Sequence, residues 1–326
     1  MFHATRAFTA AGQLMPSLLL KMWDTAAYSF HVQTFFLIAG YVAFPKGGSL
    51  QVQIGRQASL YYAYMVWSFV SWLIATAMAD YVNHPVHLDD LLWIPIVPIQ
   101  HFWFLLPLMV GTFLLWLLRT RLALTLAFIL CFALANTDGV ILGIYQSVLY
   151  ILLGALLRAT GIKLRANIFA GLLGLAVLTV SAWYPVYGGI SIPPTLQFLF
   201  NLCGCYAAYV AGSYAARTKS LGSILSHLGR RSLSIYLLHV IAASSVRIAL
   251  MHIAPDLNLY LAVTLTVLGG VCLPLIADAL AQGAGVAAPL GLRTFRVRWP
   301  ANMRARRSSE RSGVWIQGRV RKLFDS

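Results

Sequence analysis

The sequence predicts an all-α fold, a polytopic bundle of transmembrane helices with nine visible spans and part of one earlier helix. Of its 326 residues, 60% are hydrophobic and 10% are charged, whereas a soluble domain carries roughly 25% charged residues. Most apolar runs are close to the roughly 20 residues with which an α-helix crosses the hydrocarbon core. The charge of the joints between the runs alternates along the chain, and this third observation is independent of the other two.

The individual spans follow from apolar runs that end at charged residues, Pro or Gly. The predicted spans are residues 28–44, 56–79, 100–118, 122–135, 140–158, 168–187, 194–215, 232–251 and 258–280. The fourth run is short and only weakly separated from the third. We expect residues 1–283 to form one transmembrane domain and residues 284–326 to form a basic tail.

The joints between spans alternate in charge, as expected when basic joints face the cytoplasm. Every second joint is basic, and these joints contain Lys46, Arg56, Arg119, Arg121, Arg158, Lys163, Arg165, Arg217, Lys219, Arg230 and Arg231. The other joints contain Asp24, Asp80, Asp89, Asp90, Asp138 and Asp256, with Lys21 the one basic residue clearly among them. The alternation places the carboxyl-terminal tail in the cytoplasm, where its basic residues would contact anionic lipid headgroups.

Charge and cysteine usage exclude two classes of site. The net charge of +15 reflects this topology, so membrane lipids are the expected partner and nucleic acid is not. The cysteines lie inside apolar segments without the CxxC spacing of a zinc or redox site, and they are Cys131, Cys203, Cys205 and Cys272. One outer loop is rich in possible ligands, but it is short and nothing fixes its geometry, so no metal is expected at His84, His87, Asp89 and Asp90.

Four short segments carry a resemblance to a known family. They are FHVQTFFLIAGY at Phe30–Tyr41, Arg56 followed by LYYAYMVWS, HFWFLLPL at His101–Leu108, and GRRSLSIYLLH at Gly229–His239. They resemble, in order, the FHMPLFFFLSGY element, the basic cluster before a PYLVWS run, the HLWFL segment and the G-x-x-SLxIYLLH segment of the acyltransferase 3 family. Gln33, Thr34 and Ala39 depart from the first of these patterns. Taken together, the segments identify the chain as similar to these polytopic membrane acyltransferases.

The family's most characteristic element is a basic residue followed, after ten others, by a His in the first helix. Phe2-His3-Ala4 is similar to the end of that element, and its basic partner would lie before Met1. The resemblance therefore implies a first helix that begins upstream of Met1. The alternation of charge between the joints also favours a tenth span at this end of the chain. A start site set too late and a truncated chain both account for this, and a protein that lacks the segment would be inactive.

The resemblance implies transfer of an acyl group, acetyl in the first instance, from cytoplasmic acyl-CoA to a hydroxyl of a cell-envelope or exported polysaccharide. It implies a multi-pass protein of the bacterial inner membrane, with acyl-CoA as co-substrate, a carbohydrate acceptor as partner and no metal. The alternative is a transporter or flippase of a lipid-linked glycan, whose polar residues line a pathway, although the chain shows no convincing internal repeat. The acceptor, the acyl group and the oligomeric state stay open.

Acyl transfer to a hydroxyl needs a base, and the resemblance makes His3 the preferred one. The other interpretation of His3 is a histidine on a frayed terminus. His31 lies near the outer end of its helix and would face the acceptor, or it is an interfacial histidine. A further catalytic candidate is His239, which shares a helical face with Ser232 and Tyr236 because four and three positions separate them. That face lines the donor site or holds neighbouring helices together.

The donor also needs cations for the phosphates of coenzyme A. Arg56, Arg230 and Arg231 would supply them through charge-assisted hydrogen bonds, although cytoplasmic joints are basic in any case. His101 and Trp103 are the substrate-binding candidates, and the alternative for Trp103 is a place in the interfacial aromatic belt.

Overall fold

A computed structural model describes residues 2–10, 12, 14, 17–44, 49–79, 86–134 and 142–292. The side chains of residues 2, 3, 100, 142 and 143 lie outside this description. So do several positions named above, namely Met1, Lys46, Asp80, His84, Asp138 and residues 293–326 of the tail. The boundary between the transmembrane domain and the basic tail therefore stays a prediction.

The described ranges form α-helices and one short 3-10 helix, without a β-strand among them, which confirms the all-α prediction for this part of the chain. The helices are α1 Phe2–Ala10, α2 Leu18–Ala43, α3 Leu50–Ala77, α4 Asp90–Trp93, the 3-10 helix Gln100–Phe104, α5 Leu105–Leu117, α6 Arg121–Leu134, α7 Leu142–Thr160, α8 Ile168–Tyr187, α9 Pro194–Ala215, α10 Lys219–Arg230, α11 Ser232–Ile253 and α12 Leu259–Gly283.

A helix lies at each of the nine predicted spans. Four of these helices, α3, α8, α11 and α12, are long and apolar enough to cross a membrane, and the apolar segments of α5, α6 and α7 are shorter. The structure thus supports several membrane-spanning helices, and the count of nine crossings stays a prediction.

Helix α2 begins at Leu18 and not at the predicted residue 28. The charged residues Lys21 and Asp24 indicated a joint, but the structure includes both in the helix. The Asp24 carboxylate pairs with Arg6 of α1 at 2.6 Å, and Ser17 caps the helix by accepting a hydrogen bond from the Leu20 amide. A paired carboxylate and a capped first turn stabilise a helix start that composition alone disfavours.

Helix α10 occupies a stretch that the sequence analysis treated as a joint between spans. Its apolar residues Leu221, Ile224 and Leu225 recur at helical spacing and are about half exposed. The helix is too short and too polar to be found as an apolar run, and its amphipathic period is what identifies it.

Close helix pairs organise the bundle: α2 packs on α7, α8 on α9, and α11 on α12. Glycine makes the first of these contacts possible, because a Cβ atom on Gly154 would lie 2.0 Å from the carbonyl oxygen of Leu37. A Cβ atom on Gly40 would lie 1.9 Å from the carbonyl oxygen of Ile151. The backbones of α2 and α7 therefore touch directly, as small residues allow in membrane helices.

Candidate active site

The four motif segments meet in one buried core. The Phe36 ring of the first segment stacks on Phe104 of the third, with centroids 4.5 Å apart. Phe104 in turn lies 5.0 Å from Tyr236 of the fourth segment. Tyr64 and Trp67 of the second segment belong to the same hydrophobic cluster. Segments far apart in the sequence thus form one packed unit.

The 3-10 helix is fastened to α11 by hydrogen bonds in both directions. The Tyr236 hydroxyl donates to the carbonyl oxygen of His101 at 2.5 Å, and His101 Nε2 lies 3.2 Å from the carbonyl oxygen of Tyr236. His239 Nδ1 lies 2.7 Å from that same carbonyl. The two histidine rings are 5.0 Å apart in a T-shaped arrangement, so Tyr236 positions His101 beside His239.

A cavity of about 490 Å³ lies beside this histidine pair. It is lined by residues of α1, α2, α3, the 3-10 helix, α11 and α12, and we call it the arginine cavity. Its polar lining includes Arg6, Ser71, His101, Arg247 and Thr266. The lining residues that the structure describes include no Asp or Glu.

The two arginines of this cavity differ in their surroundings. Arg6 pairs with Asp24 at 2.6 Å, and its guanidinium lies 3.3 Å from the centroid of the Tyr28 ring. Arg247, in contrast, is buried, with 6% of its surface exposed. A buried guanidinium inside a span is costly and typical of functional sites in membrane proteins.

A second cavity, of about 290 Å³, lies between α2, α6, α7 and α9. We call it the amide cavity, because its polar lining includes Gln33, Gln146, Gln197 and Asn201. Its described lining residues carry no charged side chain. Trp103 lines this cavity and the arginine cavity alike.

The amide cavity is held by a chain of hydrogen bonds. Gln197 Nε2 donates to Asn201 Oδ1 at 2.7 Å, and Asn201 Nδ2 donates to the Tyr150 hydroxyl at 3.1 Å. Gln197 also donates to Ser29 Oγ at 3.4 Å. This chain connects α2, α7 and α9.

The predicted catalytic histidines take different positions. The His3 side chain lies outside the described residues, but the next residue, Ala4, lines the arginine cavity. His31 is half-buried on α2, and its ring meets that of Tyr28 at 5.0 Å. His31 Nδ1 lies 2.7 Å from the carbonyl oxygen of Ala27, much as His239 Nδ1 meets Tyr236. If Nδ1 donates in a neutral ring, Nε2 carries the lone pair that can accept a proton.

Three of the predicted phosphate-binding residues, Arg230, Arg231 and Ser232, lie at or just before the start of α11, and Arg56 lies on α3. Arg231 forms an ion pair with Asp278 of α12, a carboxylate with 1% exposure that also accepts from Ser234 at 2.9 Å. Arg230 is exposed and donates to Ser226. Ser232 and Arg56 are exposed as well. The Arg231 charge is thus already compensated, whereas Arg230 and Arg56 extend from the surface.

Sequence analysis missed Arg247, Ser71, Thr266 and Asp278. Arg247 and Asp278 had a signal, since each is an isolated charge inside a predicted apolar span. Ser71 and Thr266 had none, because hydroxyls are common in such helices and the sequence does not reveal which face of a helix lines a cavity.

Comparison with known proteins gives one clear match. The sequence profile of the acyltransferase 3 family, described as an acyltransferase domain, matches residues 1–278. No curated protein and no solved structure is similar enough to the chain to count as a match.

Proposed function

The chain belongs to the acyltransferase 3 family and is a multi-pass membrane acyltransferase, and from this premise we propose its reaction. It transfers an acyl group, acetyl in the first instance, from acyl-CoA to a hydroxyl of a cell-envelope or exported polysaccharide. The observation that carries this proposal is the meeting of the motif segments beside the arginine cavity, where Ala4, His101 and Trp103 line one space.

In the proposed reaction the acceptor hydroxyl oxygen attacks the thioester carbonyl carbon. The new C–O ester bond forms, the C–S bond breaks, and coenzyme A leaves as the thiol with the proton that the hydroxyl lost. The base is a histidine, with His3, His31 and His239 as candidates. Support for His239 comes from its Nδ1, which lies 2.7 Å from a carbonyl oxygen. If Nδ1 donates to that oxygen in the neutral ring, the basic lone pair is on Nε2. His101 and Trp103 would contact the substrate.

The donor phosphates are proposed to lie at the end of the bundle where α11 begins, which would be cytoplasmic in a bacterial inner membrane, as would the carboxyl terminus. Arg230 lies just before α11 and is exposed, Arg56 on α3 is exposed as well, and guanidinium groups suit phosphate oxygens. Arg231 and Ser232 lie beside Arg230, although Arg231 is held by Asp278. Tyr236 would act as a positioning residue, since its hydroxyl fixes the 3-10 helix.

The test uses membranes that contain the full chain, acetyl-CoA labelled in its acetyl group, and envelope glycan. We expect label in the glycan and release of the coenzyme A thiol. His239→Ala should lower the rate about 100-fold or more if His239 is the base. His252→Ala is the matched control, because His252 lies on the same helix, is exposed, and has its Nδ1 2.9 Å from a carbonyl of its own helix.

The same assay decides between the other histidines and between the two functions. Full activity in His3→Ala or His31→Ala would remove that residue from the role of base. If no donor gives an acylated product while glycan export depends on the protein, the transporter alternative is correct and the acyltransferase proposal is wrong.

A further inference from the structure

We propose that the amide cavity binds one neutral sugar ring of the acceptor glycan through its hydroxyl groups. The groups that hold the ring are the side-chain amides of Gln33, Gln146 and Gln197 and the aromatic ring of Trp103. The identity of the ligand as the acceptor rests on the proposed function, whereas the sugar site itself is tested without any acyl donor.

Three helices bring these amides to one cavity. Gln33 lies on α2, Gln146 on α7 and Gln197 on α9, and all three residues line the same space of about 290 Å³. This volume is close to the lower end of the range of about 300–1,000 Å³ for small-molecule sites, so it suits one ring and not an extended chain. An amide both donates and accepts hydrogen bonds, as does a hydroxyl group. The cavity therefore matches the chemistry of a ring that carries hydroxyls.

One of these amides has an acceptor that the protein leaves open. The side-chain oxygen of Gln33 is buried and has no hydrogen-bond partner in the part of the chain that the structure describes. Buried polar groups are nearly always paired, so this oxygen suits a ligand that donates a proton to it. Gln33 also departs from the pattern of the first motif segment, so this acceptor is a feature of the chain and not of the motif.

The hydrogen-bond chain beside Gln33 holds further groups in place for a ligand. Both described hydrogen bonds of Gln197 use its Nε2, which donates to Asn201 and to Ser29. Its Oε1 is therefore left to accept a hydrogen bond from a ligand. Asn201 donates to the Tyr150 hydroxyl, whose own proton can then be donated. Groups that are already held in place bind a ligand at a smaller cost in entropy.

The lining of the cavity selects a neutral ligand with an apolar face. Its described lining residues carry no charge, so an ion would leave water without a compensating partner, which is costly. An acyl chain would leave the buried amide groups unpaired. Trp103, with 43% of its surface exposed, and Phe198 add aromatic surface to the lining, against which the C–H face of a sugar ring can pack.

The position of the cavity favours the acceptor over coenzyme A. Gln146 and Gln197 lie in the first turns of α7 and α9, whereas Arg158 and Arg217, of the predicted cytoplasmic joints, lie near the ends of these helices. The predicted topology thus puts the cavity in the half of the bundle away from the proposed donor phosphates. Trp103 also lines the arginine cavity, which lies beside the histidine pair. A sugar in the amide cavity would therefore be next to the candidate active site.

Binding is measured on the full chain in phosphatidylcholine nanodiscs, without acyl-CoA, by ligand-observed nuclear magnetic resonance. The neutral probes are the methyl glycosides of glucose, galactose and mannose, glucuronate is the charged control, and empty nanodiscs measure binding to lipid. We expect at least one methyl glycoside to bind with a dissociation constant in the millimolar range. It should bind about tenfold or more tightly than glucuronate.

Gln33→Met should weaken binding of that glycoside about tenfold without lowering the melting temperature, because the oxygen that it removes has no described partner. Gln57→Met is the matched control and should leave binding unchanged. The Gln57 side-chain oxygen is also buried without a described partner, but the residue is not among the described lining residues of either cavity. Gln146→Met, at an exposed residue, should weaken binding as well, and it tests the site even if Gln33→Met does not fold.

Three results would overturn the proposal. They are binding of every glycoside no stronger than to empty nanodiscs, binding of glucuronate as tight as that of the best glycoside, and glycoside binding that is unchanged in Gln33→Met, or in Gln146→Met should the first variant not fold.

Failure of the proposed function looks different. Gln33-dependent glycoside binding without any acyl transfer would retain the sugar site and reject the acyltransferase role. Where acyl transfer occurs, Gln33→Met should raise the KM for the glycan and leave the KM for acetyl-CoA unchanged. An unchanged KM for the glycan would show that the bound sugar is not the acceptor and would overturn that assignment.

Discussion

The arginine cavity and the amide cavity share Trp103, but they differ in whether their polar side chains have hydrogen-bond partners. In the amide cavity, Gln197, Asn201 and Tyr150 are joined in a chain of hydrogen bonds. In the arginine cavity, the hydroxyls of Ser71 and Thr266 are buried without a described partner. A satisfied network stabilises the fold, whereas unsatisfied buried groups cost stability unless a ligand completes them.

One residue refines this contrast. The side-chain oxygen of Gln33, which lines the amide cavity, is also buried without a partner among the described residues. An amide oxygen accepts hydrogen bonds, so this group suits a neutral hydroxyl and not an anion. The unpartnered group of the amide cavity is thus an acceptor, whereas those of the arginine cavity are hydroxyls, which can also donate.

The largest expected effect comes from Asp278, which fastens α11 to α12 and so maintains one wall of the arginine cavity. Asp278→Ala leaves Arg231 and Ser234 without their buried acceptor, and we expect a loss of about 3–5 kcal/mol in the free energy of unfolding. Denaturant titration in mixed micelles measures it. Hydrogen exchange should rise in α11 and α12 and stay low in α7 and α9.

Asp278→Asn is the milder partner of this variant, since an amide keeps one acceptor oxygen, and its loss should be smaller. If hydrogen exchange rose equally around both cavities, the two regions would form one cooperative unit and their contrast would not extend to stability.

The next prediction concerns the close contact between α2 and α7, two helices that line the amide cavity. Gly154→Ala places a Cβ atom 2.0 Å from the backbone of α2, and backbone cannot move aside as a flexible side chain does. We expect a destabilisation of about 3 kcal/mol, at the upper end for overpacking, and a displaced α7 with its residues Gln146 and Tyr150. Denaturant titration measures the loss.

Gly212→Ala is the matched control, because the added methyl group has no described heavy atom within 4 Å beyond its chain neighbours and the nearby backbone of its own helix. It should leave stability unchanged or raise it by up to about 1 kcal/mol, as Ala favours helix. If both variants lost equal stability, close contact between α2 and α7 would not be the cause.

The helices were largely predictable because the length of each apolar run can be read directly from the sequence. Helix α8 occupies the predicted residues 168–187, and α9 occupies 194–215. The sequence marks both starts, with Asn167 as a side-chain cap before α8 and Pro194 in the first turn of α9. The start of α2 was predicted wrongly because a charge pair across two helices, Arg6 with Asp24, is not visible in one segment.

The candidate site was predictable only where a motif names the residue. His101 and Trp103 were predicted from the HFWFL segment, and both line the arginine cavity. Arg247 was detectable as a charge within a span, but its neighbours were not, since which hydroxyls share a cavity depends on how three helices rotate against one another. Helix α10 was missed because its few apolar residues recur at helical spacing within a segment that is polar in overall composition.

The smallest effect is also the most direct test of the contrast between the cavities, and it pairs one variant from each. Tyr150→Phe removes the acceptor of Asn201 Nδ2, so a buried amide loses its partner and the free energy of unfolding should fall by about 1 kcal/mol. Ser71→Ala removes a hydroxyl that has no described partner. Stability should then stay constant or rise by up to about 0.5 kcal/mol, because Ala is also the better helix former. Denaturant titrations of the two variants, run without ligand, measure the difference. A loss of stability in Ser71→Ala as large as that in Tyr150→Phe would mean that Ser71 already has a hydrogen-bond partner in the protein. This polar group of the arginine cavity would then be paired like those of the amide cavity.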